Sequence, residues 1–219
     1  MDAATLQKRI NSGYGKAATR IGYTCDVYRP TAPTTVLVAA NLLRLPPINV
    51  SFTVNGSKYN YYKPGTHTDT LWLGILDPTL YNVGDYFFNT QDGTFFLAAK
   101  QSELPTLFVK CDTVFKVLRP SGSSSAGISG YSGATTATET AVLTGWPGAL
   151  TLESKGRSSG ANLPMDEQNS FFVVFLPILA GVDIRSSDIL IDSDGRRYIV
   201  VASDKSALGW RMFVQNAVT

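Results

Sequence analysis

Leu73-Gly74-Ile75-Leu76, Asp85 and Asp92-Gly93-Thr94-Phe95-Phe96-Leu97-Ala98-Ala99 stand in the first half of the chain; Leu176-Pro177-Ile178-Leu179, Asp188 and Asp194-Gly195-Arg196-Arg197-Tyr198-Ile199-Val200-Val201 follow in the same order in the second. The offset is 103 for Leu73, Ile75, Leu76 and Asp85 against Leu176, Ile178, Leu179 and Asp188. It is 102 for the Asp-Gly pair, and Phe96, Ala98 and Ala99 then match Tyr198, Val200 and Val201. Phe108-Val109 matches Phe213-Val214, and each copy opens on a similar tetrapeptide, Val27-Tyr28-Arg29-Pro30 and Val117-Leu118-Arg119-Pro120. A shared order of matches reads as a duplication.

The residues around the repeat say what is duplicated. Ile48, Val50, Phe52 and Val54 alternate with polar residues, as do Val109, Cys111, Thr113, Phe115 and Val117, and later Trp210, Met212 and Val214. A period of two with one face apolar is a half-buried strand. Turn clusters separate the runs: Asn55-Gly56-Ser57, Lys63-Pro64-Gly65, Asp92-Gly93 and Asp194-Gly195. Short strands with frequent turns predict an all-β sandwich or barrel in each copy.

The N-terminus has a different period. Asp2 can cap a helix that carries Leu6, Ile10, Ala17 and Ile21 near one face, and Gly22 ends it. Gly13 and Gly15 each cost about 1 kcal/mol relative to Ala, which predicts a break near Ser12–Gly15. One narrow apolar stripe makes no core, so this arm must lie on something else. The expected organisation is all-β: a helical docking arm over 1–24, then two tandem, duplicated barrel- or sandwich-like domains at 25–120 and 121–219. The Arg119-Pro120 pair is the expected hinge. The span from Val117 to Asp188 is 13 longer than that from Val27 to Asp85, and the excess is assigned to a Ser/Gly/Thr-rich loop at 121–140.

Composition bounds the functions. The chain has 219 residues, 44% hydrophobic, 11% aromatic and 16% charged, which excludes a disordered tail, a coiled coil and a disulfide miniprotein. The net charge of +2 is too balanced for a protein held to nucleic acid by its overall field. The basic residues Lys8, Arg9, Lys16, Arg20 and Arg29 gather in the first thirty positions against Asp2 and Asp26. Cys25 and Cys111 are too few for a bridged framework and read as buried, reduced thiols. Met1–Ile10 lacks the apolar centre of a signal peptide. Phe171–Val182, the longest apolar run, is too short to cross a bilayer and reads as strand plus turn. Synthesis and folding in a cytoplasm are expected, without membrane contact.

No motif carries a chemistry. The single histidine, His67, has no nucleophile elbow to serve, and with two distant cysteines it cannot close a zinc site. Asp192-Ser193-Asp194-Gly195 resembles the start of a calcium loop, but the Gly comes too early and position 201 is Val where a Glu is needed, so it reads as a hairpin turn. Gly13-Tyr14-Gly15-Lys16 fails the phosphate-loop pattern at Ile10 and Ala17. Only four glutamates are present, Glu103, Glu139, Glu153 and Glu167, and position along the chain does not say which carboxylates meet in space, so a hydrolytic pair stays open while an enzyme is not expected. No catalytic, cofactor-binding or metal-binding residues and no cofactor are therefore assigned. Tyr59, Tyr61 and Tyr62 form an aromatic cluster suited to an edge strand packed inward, to a protein contact, or to stacking on sugar.

Met1-Asp2-Ala3-Ala4-Thr5-Leu6-Gln7-Lys8-Arg9-Ile10, with Gly13-Tyr14-Gly15-Lys16-Ala17-Ala18 and Val27-Tyr28-Arg29-Pro30, resembles structural proteins of contractile-tailed bacteriophages. Val83-Gly84-Asp85-Tyr86 and the run Asp92–Ala99 fit the same pattern, so the likeness spans most of residues 1–120. Ser187-Asp188-Ile189-Leu190 with Asp194–Val201 is similar to the Gly-Asp/Asp-Gly hairpin of small β-barrel head–tail joining and tail-completion proteins, with Ser187 standing where that pattern has Gly. The resemblance implies a non-enzymatic virion component assembled in the host cytoplasm: a homo-oligomeric ring linking tail tube or sheath to baseplate, with other tail, baseplate or neck proteins as partners and no specific nucleic acid. The alternatives are a neck connector under the portal and, from another class, a carbohydrate-binding adhesive module using the tyrosine cluster.

Overall fold

A computed structural model describes residues 2–43, 46, 48–54, 70–120, 139–152 and 171–217. After helix α1 (Ala3–Ile21), the chain forms two closed six-stranded antiparallel barrels. Barrel 1 contains β1 (Tyr23–Tyr28), β2 (Ile48–Val54), β3 (Leu71–Ile75), β4 (Tyr86–Asn89), β5 (Gly93–Ala99) and β6 (Thr106–Cys111), in the order β1-β2-β3-β6-β5-β4. Barrel 2 contains β7 (Thr113–Pro120), β8 (Glu139–Leu152), β9 (Phe171–Leu176), β10 (Ile189–Ile191), β11 (Arg197–Ser206) and β12 (Gly209–Asn216), in the order β7-β8-β9-β12-β11-β10. The two orders are identical once six is added to each strand of the first. Closure removes the exposed edges that open sheets must protect.

Register makes the duplication residue-specific. Val27 pairs with Phe87 where Val117 pairs with Leu190, Phe87 with Phe95 where Leu190 pairs with Tyr198, and Leu97 with Phe108 where Val200 pairs with Val214. Each β5-type strand carries a bulge at the same place, between Leu97 and Ala99 and between Val200 and Ala202. The interior of barrel 1 is Val27, Phe87, Phe95, Leu97 and Phe108 with their neighbours, and the counterparts of all five are buried in barrel 2. Volumes trade across the copies: Gly74 lies under Phe108, where a Cβ would come within 2.3 Å of the ring, whereas barrel 2 has Val174 and the smaller Val214 at the equivalent positions.

The same ladders correct the sequence alignment. The counterpart of Leu73 is Val173, not Leu176, because Trp72 pairs with Phe108 as Phe172 pairs with Val214. Phe95, not Phe96, matches Tyr198, and Phe108 matches Val214, not Phe213. The slip along β5 has a clear cause: Phe95, Phe96, Leu97 and Ala98 are all buried, so β5 offers no in–out alternation to fix the offset. The Asp-Gly pairs lie in equivalent hairpins but one position apart. Neither is a two-residue turn, since Asn89 pairs with Gly93 and Ile191 with Arg197. The turns close instead on a side chain. Asn89 Oδ1 accepts from the N–H groups of Gln91 and Asp92, and its counterpart Asp192 accepts from Asp194 and Arg196.

Three expectations about organisation change. The run from Val109 to Val117 is broken at Asp112, whose N–H donates to Gly148 O at 3.0 Å, so barrel 2 begins at Thr113 and Arg119-Pro120 lie inside β7. That pair is strand, not hinge. Residues 139 and 140 of the expected loop begin β8; the rest of it, 121–138, is outside the described residues, as are His67, Tyr59, Tyr61 and Tyr62. Helix α1 runs unbroken through Ser12–Gly15, capped by Asp2 accepting from Thr5 N–H at 2.9 Å and ended at Gly22. Gly15 lies where the helix crosses barrel 1, and a Cβ there would stand 3.2 Å from that of Asp77.

Candidate interaction surfaces

One motif is built twice from residues the repeat marked only in part. In barrel 1 the Arg29 guanidinium donates to both carboxylate oxygens of Asp85, at 2.8 and 2.6 Å, and Asp85 Oδ2 also accepts from Asn82 N–H at 2.7 Å. In barrel 2 Arg119 donates to Asp188 at 2.9 and 2.8 Å, and Asp188 accepts from Arg185 N–H at 2.8 Å. A forked guanidinium on a carboxylate is the geometry that fixes orientation as well as charge. Both carboxylates are almost fully buried while their arginines reach solvent. The aspartate backbone completes the clasp: Asp85 O accepts from Leu97 N–H and Asp188 O from Val200 N–H. Gly84 precedes the first aspartate at φ 93°, and Ser187 holds the same left-handed region at φ 72°. These arginine–aspartate pairs clasp one end of the β1–β4 and β7–β10 ladders, one step beyond Tyr28–Tyr86 and Leu118–Ile189.

Beside the second clasp lies a shallow cleft of about 180 Å³ lined by Arg119, Pro120 and Arg185–Asp188. That is below the roughly 300 Å³ at which small-molecule sites begin. Among the described residues no three His, Cys, Asp or Glu side chains converge as a metal site. The Asp192–Gly195 segment is committed to its turn, with Asp192 Oδ2 also accepting from the Tyr198 hydroxyl at 3.0 Å. Gly13–Lys16 is mid-helix. Glu139 pairs with Arg197 at the foot of β8, and Glu103 lies at the β5–β6 connection, where its N–H donates to Gln7 Oε1 of α1 at 2.9 Å. Both cysteines are free; burial pushes the Cys25 thiol up to about 11 and the Cys111 thiol well above its ordinary value, so neither is a ready nucleophile. No described helix is long and apolar enough to cross a membrane.

What the molecule does offer is surface. The barrels share one core: Tyr86, Phe96, Ala98, Leu107 and Val109 on the outside of barrel 1 join Trp146 and the interior of barrel 2 in one apolar cluster. The Tyr86 hydroxyl donates to Pro147 O at 2.8 Å and its ring meets Trp146 edge-on. The β1–β2 connection crosses over as well, with Val36 N–H donating to Gly145 O and Thr144 N–H to Pro33 O. The two copies are therefore locked to each other. Sequence reading missed this interface, although the unbroken apolar run Phe95–Ala99 was its signal: a barrel strand with both faces apolar must be covered on both.

Helix α1 is docked on its own barrel, with only the middle of its stripe partly covered. Ala18 is its one buried residue among those described, Gly22 touches Val50, and Asn49 Nδ2 donates to Thr19 O at 3.5 Å. Leu6 and Ile21 stay exposed, and Ile10 and Ala17 are half-buried. The helix thus turns its small residues inward, half-covers Ile10, and leaves Leu6 and Ile21 near its two ends exposed. No protein-family model matches the chain, and neither a curated protein nor a solved structure proves similar to it.

Proposed function

We propose that this chain is a non-enzymatic structural protein of a tailed-phage particle, an adaptor that forms a ring between the tail tube or sheath and the baseplate. The observation that carries the reading is the rigid fusion of two copies of one barrel. A shared core holds them at a fixed angle, so that the same fold offers two different outward surfaces to two different partners. An adaptor between dissimilar rings needs that property, and an arm with an unspent apolar stripe adds a third contact. The resemblance of residues 1–30 and of the Asp92–Ala99 hairpin to contractile-tail structural proteins supports the same reading.

The test is the protein content of purified particles. Quantitative mass spectrometry should find the chain at a fixed multiple of the portal protein, and disruption of the gene should leave filled heads with incomplete tails. Tailless heads with unstable portals would move the assignment to the neck. A chain absent from particles that binds glycan in solution would replace it with the adhesive module.

A further inference from the structure

Among the described residues, the duplication leaves one surface without its partner. On the outside of barrel 1, Phe96 is 1% and Ala98 1% exposed because barrel 2 covers them; their counterparts on barrel 2, Ile199 and Val201, are 43% and 45% exposed. Ile189 and Phe213, the counterparts of Tyr86 and Leu107, complete the same patch and are only half-buried. An outward strand face that is apolar in both copies but covered in one is a binding face short of its partner.

What covers the first face indicates what covers the second. Barrel 1 sits on β8 of barrel 2, where Tyr86 donates to Pro147 O. The register makes Asn49 of β2 the counterpart of Pro147, since Thr24 pairs with Asn49 as Val114 pairs with Pro147. Asn49 is the residue that holds Thr19 of α1. Helix α1 therefore takes on barrel 1 the seat that barrel 1 takes on barrel 2. The chain is a stack of helix, barrel, barrel, each seated on the β2-type strand of the next. One end of the stack shows Leu6 near the start of α1 and Ile21 at its end, followed by Tyr23, all exposed; the other shows Ile199 and Val201.

We propose that the Ile199/Val201 face of one copy docks on the Leu6/Ile21 stripe of a second copy of this chain, head to tail. Such a contact is heterologous, and repetition closes it into a ring when the rotation allows. The inference gives the ring proposed above its contact, but it is tested on the purified chain alone. A chain that assembles yet is missing from particles would remove the function and leave the contact standing.

Sedimentation of four samples decides it: wild type, Ile199→Glu with Val201→Glu, Leu6→Glu with Ile21→Glu, and a mixture of the two variants. Wild type should sediment above the monomer in a concentration-dependent way, and each variant should be monomeric, weakened at least about tenfold. The mixture should form a one-to-one complex, because each variant keeps the face the other lacks. All four sites are exposed, and thermal melts confirm that the variants fold; Ile199→Ser replaces the double variant should it fail. A monomeric wild type, or unaltered association in the variants, would overturn the proposal. So would a Leu6/Ile21 variant that still pairs with itself, which would mean a symmetric contact through barrel 2.

Discussion

At the scale of single residues, two positions carry strain or charge that substitution can release. Ser187 holds φ 72° to present Asp188 to Arg119, in the place where barrel 1 uses Gly84. The left-handed region costs a residue with a Cβ about 1 kcal/mol or more, and glycine's extra chain entropy returns part of it. Ser187→Gly should therefore stabilise the protein by a few tenths to about 1 kcal/mol in denaturant titration. Asp112 sits at the junction of the barrels, where burial raises its carboxyl above the ordinary 3.8 despite the hydrogen bond from Leu150 N–H to Oδ1. A carboxyl with a raised folded-state value binds its proton more tightly in the native than in the unfolded chain. Stability from this group is therefore present at low pH and lost as pH rises from about 3.8 through the raised value. Asp112→Asn keeps the acceptor and removes the charge, so melting curves across that window should lose this part of their pH dependence.

At the scale of elements, the barrels test their own equivalence. Gly74 and Phe108 fill in barrel 1 the space that Val174 and Val214 fill in barrel 2. Gly74→Val alone drives a side chain into the Phe108 ring and should cost about 1–3 kcal/mol. Phe108→Val alone leaves a cavity and should cost about 2–4 kcal/mol. Together they recreate the barrel 2 pair, so the double variant should be more stable than the sum of its parts, with a coupling of at least about 1 kcal/mol. Additive losses would mean that the two interiors are not built alike.

The same strands show what the sequence made legible. The alternation of β2 and of β12 is intact, and helix α1 begins and ends where Asp2 and Gly22 place it. Duplication was visible in Asp85 and Asp188 because a buried, doubly bonded aspartate has no substitute. Its partners Arg29 and Arg119 stood in the repeated tetrapeptides, but Arg29 was counted with the basic N-terminal segment and Arg119 was read as part of a hinge. Offsets along β3, β5 and β6 were misread; in β5 the cause is that Phe95–Ala98 is apolar on both faces and carries no phase. That loss of phase was itself the mark of the barrel–barrel interface. Helix α1 was misread at Ser12–Gly15 because glycine propensity was weighed without the packing of the helix on its barrel, where a Cβ on Gly15 would stand 3.2 Å from that of Asp77; nothing crowds Gly13. The arm stripe Leu6–Ile21 was legible as a pattern, but which side of the helix the barrel uses depends on Ala18 and Gly22, and only packing decides that.

At the scale of the whole molecule, the shared core makes two barrels one unit. Tyr86, Phe96, Ala98 and Val109 would meet water if the barrels parted, and burying such side chains is worth about 1.5–3 kcal/mol each for the larger ones. Calorimetry of the intact chain should therefore show a single transition, whereas hinged independent domains would give two. A rigid bar of this kind, uncovered at both ends, is suited to repeat around an axis. The most direct measurement is cryo-electron microscopy of intact particles at side-chain detail. The account predicts a ring of this chain between tail and baseplate, each copy's Ile199 and Val201 buried on the α1 of its neighbour. Particles without the chain, or a ring in which that face stays open to solvent, would contradict it.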